Sequence, residues 1–82
     1  MVATLSPREQ ACLRWAALGK SSRATGEILG ISGNTVNFHI KNAMRKLETN
    51  SRTVATIRAL QLGIIEPPPV GGEDAGGKRT DR

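Results

Sequence analysis

This chain of 82 residues has few of the groups on which most protein chemistry depends. Its aromatics number two, Trp15 and Phe38, and it has one cysteine, Cys12, and one histidine, His39. A single cysteine closes no internal disulfide and fits a reducing compartment. One cysteine with one histidine falls short of a four-ligand zinc site, so no metal is expected. No apolar run approaches the ~20 residues of a membrane span, and the N-terminus lacks the basic-then-apolar order of a signal peptide. The expectation is a cytoplasmic chain with no membrane partner and no cofactor. Its length is roughly half the ~150 residues of a typical domain, which allows one small domain. A domain of that size buries only about 60% of the surface of its unfolded chain, too little to enclose an enzyme-sized cavity. Cys12 and His39 could be imagined as nucleophile and base. Cys12 falls on the aliphatic side of the first helix, however, and His39 borders the apolar side of the third. Both read as packing residues, as does Trp15, and an enzyme is not expected.

Acidic residues are scarce as well. Seven Asp and Glu face twelve Lys and Arg, a net charge of +5 and a pI near 10.4, which points to a polyanionic partner. The excess lies wholly in residues 1–65, where nine basic residues stand against three acidic ones, Glu9, Glu27 and Glu48, giving 9 − 3 = +6. Residues 66–82 carry 3 − 4 = −1. That second stretch, with Pro67-Pro68-Pro69, Gly71-Gly72 and Gly76-Gly77, has almost nothing to bury and reads as a disordered Pro/Gly-rich tail. It is expected to be a passive extension rather than a binding motif.

What remains is helical. Ser6-Pro7-Arg8-Glu9 predicts a capped start, with proline at the first helical position and Glu9 closing a capping box. Leu5, Cys12, Leu13 and Ala16 recur at helical spacing until Gly19. A second helix is predicted from Ser21 or Ser22 to Gly30, and a third from after Ser32 to about Leu47. Glu48-Thr49-Asn50 reads as a loop, and Ser51 caps a fourth helix ending at Gly63. Short connections make this a compact all-α, four-helix domain.

Residues 22–46 are the informative segment. Gly30 can end a helix in the left-handed conformation. Gly26 would let two helices approach closely, with Ile31 and Val36 in the angle between them. These offsets suggest a helix-turn-helix, although ordinary helical hairpins also use glycine turns. On the third helix, at ~100° per residue, Val36, Ile40, Ala43 and Leu47 share one side. Asn34, Asn37, Phe38, Lys41 and Arg45 share the other. Amides and cations are what major-groove reading requires, asparagine pairing with adenine and lysine with guanine edges. Thr35, in the capped first turn, is placed to hold a phosphate. A solvated polar face would not explain Phe38 upon it.

At this point the stretch from Leu5-Ser6-Pro7-Arg8-Glu9 to Ile64-Ile65 resembles the DNA-binding domain of the LuxR family of bacterial transcription regulators. The resemblance covers about three quarters of the chain. It is carried by LSPRE at the start, ILGISGNTVNFHIKNAMRKL over residues 28–47 and RTVATIRALQLGII over residues 52–65. NFHIKNAMRKL, with LRWAALGK earlier, looks most like the quorum-sensing branch, whose members sense acyl-homoserine lactones through a separate N-terminal domain. The resemblance implies a LuxR-type transcription regulator whose third helix enters the major groove of double-stranded DNA. Base contacts would fall to Asn37, Phe38 and Lys41, and backbone contacts to Ser32, Asn34, Thr35, Arg45 and Lys46. It also implies a homodimer through the fourth helix, at Val54, Ile57, Arg58 and Gln61, reading an inverted repeat with half-sites about one helical turn apart.

The chain departs from the family pattern in its second helix, at Val54, where a polar residue often follows the fourth-helix cap, and in its extent. Ala24 and Thr25 stand where a glutamate and an isoleucine are usual, which removes a capping partner for Ser21 and places a hydroxyl where an aliphatic group packs. Each is expected to cost about 1 kcal/mol or more. Met1 begins four residues before the motif, which leaves no room for a sensing domain within these residues; a short stand-alone regulator and a piece of a longer protein both fit, and no small-molecule ligand is expected within this chain. Two alternatives remain beside this reading. A sigma-factor-like promoter-binding domain shares the opening and the helix pair but needs no patterned fourth helix. A DNA-independent interaction module could pair with longer LuxR-type regulators through that helix.

Overall fold

A computed structural model describes residues 4–66 of the chain. Serine begins every helix. The hydroxyls of Ser6, Ser21, Ser32 and Ser51 accept from the backbone N–H groups of Glu9, Ala24, Thr35 and Val54, respectively. Each cap satisfies one of the donors that a helix start leaves unpaired. They open α1 (Pro7–Ala17), α2 (Ser22–Leu29), α3 (Gly33–Lys46) and α4 (Arg52–Gln61), with no strand among the described residues. At α1 the cap is reciprocal, since the Glu9 carboxylate accepts from the Ser6 N–H at 2.9 Å. At α2 it is one-sided, because Ala24 has no carboxylate to return the bond.

The helices end in two ways. Gly30 closes α2 at φ 75°, and glycines at positive φ also follow α1 and α4. The last turn of α3 closes without glycine. Its wrapping bonds are made from Glu48 N–H to the Arg45 carbonyl (3.1 Å) and from Thr49 N–H to the Met44 carbonyl (3.0 Å). Glu48 itself sits at φ 58°, a left-handed conformation that costs a residue with a side chain about 1–2 kcal/mol.

Two apolar groups hold the helices together. Leu5, Leu13, Ala43, Leu47, Ala55, Ala59 and Ile65 form the first, between α1, α3 and α4. Cys12, Val36 and Ile40 form the second, with Leu29 and Ile31 packed against it. The side of α3 predicted to face inward, Val36, Ile40, Ala43 and Leu47, is buried throughout. Trp15 is half-buried.

The junction of α2 and α3 depends on Gly26. A Cβ there would run into the carbonyl oxygen of Ile31, and would also lie 3.1 Å from the Ser32 carbonyl carbon and 3.2 Å from the Gly33 nitrogen. Backbone cannot yield as a flexible side chain can, so only glycine fits. Thr25 beside it is fully buried, and its hydroxyl has no hydrogen-bond partner among the described residues. An orphaned buried hydroxyl costs about 1–3 kcal/mol. Of the expected Pro/Gly-rich tail, residues 66–82, all but Glu66 lie outside the described residues.

Candidate nucleic-acid interface

Because Val36, Ile40 and Ala43 anchor α3 inward, its opposite side is obliged to face out. Asn34, Asn37, Phe38, Lys41 and Arg45 are all exposed there, Phe38 by 60%. The Phe38 ring meets the edge of His39 at 5.8 Å between centroids. His39 was expected to be a satisfied structural histidine; it is half-buried and rests on this ring contact. Lys41 has no acidic partner among the described residues. Arg45 donates to the Asn42 side-chain oxygen at 3.2 Å, a neutral partner that leaves its charge uncompensated. A shallow apolar hollow opens on this side, lined by Asn37, Phe38, Ile40, Lys41, Met44 and Arg52. The arrangement offers amide donors, cations and one ring side by side, on a rigid helix.

At the start of α3 the polar groups are already engaged. The Thr35 N–H donates to the Ser32 hydroxyl at 3.1 Å, and the two hydroxyls bond each other at 2.9 Å. Ser32 and Thr35 therefore form one hydroxyl pair at the helix mouth, beside exposed Asn34.

Two of the expected contact residues also have partners within the domain. Lys46, expected to meet a DNA backbone, donates to the Glu9 carboxylate at 2.9 Å and keeps 41% of its side chain exposed. Glu9 is almost fully buried, so its charge requires a partner, and the Lys46 stem is long enough to reach it. Burial alone would raise the Glu9 pKa. The Lys46 ammonium, the Ser6 N–H and, least, His39 outweigh it and hold the carboxyl below its ordinary value. Arg58, expected at a dimer contact, donates from Nη1 to the carbonyls of Leu47 (2.6 Å) and Glu48 (2.9 Å). It fastens the end of α3 while remaining exposed. Val54, Ile57 and Gln61 share a side of α4 by their spacing, with Ile57 and Gln61 exposed and Val54 half-buried.

Sequence reasoning missed Ser22 and Arg52. Arg52 donates from Nη1 to the Ser22 hydroxyl at 3.2 Å, and Ser22 donates to the Asn37 side-chain oxygen. One signal was available: an arginine at the first position of α4 opposes the helix dipole and so needs another reason to be there. Cys12 is fully buried and burial pushes its thiol pKa up, the reverse of what a nucleophile needs. The described residues contain no group of three or more potential metal ligands, and no helix long and apolar enough to cross a membrane.

Comparison with known proteins gives a single picture. Residues 3–59 match the family described as bacterial regulatory proteins, luxR family. An HTH-type transcriptional regulator, y4qH, of Sinorhizobium fredii is 63% identical over 79% of this chain and 20% of its own length. The HTH-type quorum sensing-dependent transcriptional regulator VjbR of Brucella ovis is 50% identical over 80% of this chain and 26% of its own length. The chain thus spans about a fifth to a quarter of the curated relatives it matches. A solved structure of the transcription factor GerE superposes with a TM-score of 0.72 at 31% identity, covering 76% of this chain and 92% of that one.

Proposed function

The chain belongs to the luxR family of bacterial regulatory proteins, and on that premise we propose that it binds double-stranded DNA as the output domain of a transcription regulator. In this reading α3 lies in the major groove. Asn37, Phe38 and Lys41 meet base edges, while Ser32, Asn34, Thr35 and Arg45 meet the phosphate backbone. Lys46 acts from behind, holding α3 on α1. Two copies pair through α4, at Val54, Ile57 and Gln61, and read an inverted repeat with half-sites about one helical turn apart. Exposed Ile57 and Leu62 supply apolar surface for that contact.

One observation carries the reading: an α3 that buries one side completely and exposes an uninterrupted row of amides, cations and a ring on the other. Titration of duplex DNA across salt concentrations tests it. If each protomer neutralises about four phosphates, log affinity falls against log salt with a slope near −3.6 per protomer. An intact helical fold with no DNA binding at low salt refutes the reading and favours an interaction module that uses α4 alone.

A further inference from the structure

Asn37, Ser22 and Arg52 come from α3, α2 and α4 and form one continuous chain of hydrogen bonds. Its direction follows from the donors. A guanidinium can only donate, so Ser22 must accept from Arg52. The single hydroxyl hydrogen of Ser22 then goes to the Asn37 oxygen. Asn37 is thereby held by its oxygen, with one of that oxygen's two acceptor positions taken by Ser22, and its NH2 group is the part left wholly to a ligand. Arg52 is half-buried and has no acidic partner among the described residues. At the first position of α4 it faces the positive end of that helix's dipole, so local helix stability gives it no reason to be there. It also borders the same hollow as Asn37 and Lys41.

We propose that Arg52 and Ser22 are positioning residues that set which base Asn37 reads. An asparagine recognises adenine with both halves of its amide, accepting from N6 and donating to N7. With the oxygen held toward Ser22, the two N–H donors are the part of the amide best placed to meet a base. Guanine, which presents two acceptors at O6 and N7, satisfies them; thymine offers one, at O4. Adenine and cytosine each present an amino group that must compete with Ser22 for the one acceptor. The three-helix chain therefore disfavours the adenine pairing that an isolated asparagine on this helix would favour.

This inference rests on α3 reading the major groove, and the test separates the two. Selection from a library of random duplexes is run on the unaltered chain and on Asn37→Ala, Ser22→Ala, Ser22→Thr and Arg52→Met. The base pair whose preference vanishes in Asn37→Ala is the one Asn37 reads. The unaltered chain selects guanine there, with thymine second. Ser22→Ala and Arg52→Met gain about tenfold in the adenine-to-guanine ratio at that pair alone, with the Lys41-dependent pair unchanged. Ser22→Thr keeps the hydroxyl and the original preference, an outcome that loss of structure would not give. Adenine selected by the unaltered chain at that pair, or an unchanged ratio in Ser22→Ala, overturns the proposal. Nuclear magnetic resonance of the free protein provides a readout without DNA. An Asn37 amide found to average over both orientations overturns the positioning role even if DNA binds. A fixed amide in a chain that selects no duplex overturns the major-groove reading instead, and the base preference with it.

Discussion

Lys41 and Lys46 stand five residues apart on α3, and the molecule uses them in opposite ways. Lys41 lies on the exposed side with no acidic partner among the described residues, whereas Lys46 closes an ion pair on buried Glu9. The division extends to their surroundings. Around Lys41 the side chains of Asn34, Phe38 and Arg45 face outward. Around Lys46 the polar groups turn back: Arg58 grips the carbonyls of Leu47 and Glu48, and Glu9 draws the lysine toward α1. The C-terminal end of α3 is thus tied to α1 and α4, whereas on the outward side only Asn37 bonds to another helix among the described residues, through Ser22. A rigid mount for side chains that must keep their geometry is what a reading surface needs.

The largest effect on this arrangement is expected at Gly26, which sets where the outward half of α3 begins. Gly26→Ala drives a Cβ into the backbone of residues 31–33. The cost is expected to be about 3 kcal/mol, at the upper end for overpacking. For so small a domain that lowers the thermal midpoint by about 12 °C or more. An unchanged midpoint would mean that α2 and α3 can separate freely, and that the junction does not orient the exposed side.

The two lysines provide the next test. Lys41→Ala is expected to weaken a selected DNA site by about 2 kcal/mol while leaving the thermal midpoint where it was. Lys46→Ala should do the reverse, lowering the midpoint and changing DNA affinity little. Binding isotherms and melting curves on both variants decide the matter. Equal losses of affinity would erase the distinction between the two ends.

The same division marks how much could be read from the sequence. Serine caps, the left-handed Gly30 and the period of Val36, Ile40, Ala43 and Leu47 are local features, and the structure reproduces them. The exposed row was legible for the same reason, since a buried stripe on a helix fixes what lies opposite. The partners of long side chains were not. Glu9 lies 37 residues from Lys46, and Arg52 lies 30 from Ser22. A helical wheel gives the direction in which a lysine leaves the helix, but four methylenes can carry the ammonium back. Glu9 was read as a capping residue, which it is; its second role depends on how α1 and α3 pack. The family resemblance placed Lys46 and Arg58 by position alone, and position does not disclose a partner.

The Glu9–Lys46 contact is expected to leave a signature in acid. The folded-state pKa of Glu9 lies below its ordinary value of 4.5, so its contribution is fully present above that pH and is lost as pH falls through the lowered value. Glu9→Gln keeps a group that can accept from the Ser6 N–H but removes the charge. At neutral pH the variant should be less stable by about 1.5 kcal/mol, less than for a fully buried pair because the lysine is 41% exposed. The gap between the two melting midpoints should close as pH drops below about 4.5. A gap that does not narrow at all as the pH is lowered from neutral until the domain unfolds would assign the loss to packing.

The smallest effect concerns the corner that follows α3. Glu48 is left-handed without being glycine, and the Arg58 guanidinium bonds its carbonyl and that of Leu47. Two bonds from a charged donor on adjacent carbonyls compensate for the strained backbone between them. Arg58→Met, which keeps much of the stem, should cost about 1 kcal/mol. In a Glu48→Gly background the strain is already relieved, because glycine occupies this region freely. The cost of losing Arg58 should then shrink, and a double-mutant cycle over the two sites measures the coupling. Sedimentation of the same variants separates this role from dimerisation. If Arg58 serves the corner, Arg58→Met destabilises the domain without changing its assembly on DNA, while Ile57→Asp weakens assembly and leaves the corner intact. Should Arg58→Met abolish pairing at unchanged stability, the arginine belongs to the interface after all, and the C-terminal end of α3 has lost one of its two fastenings.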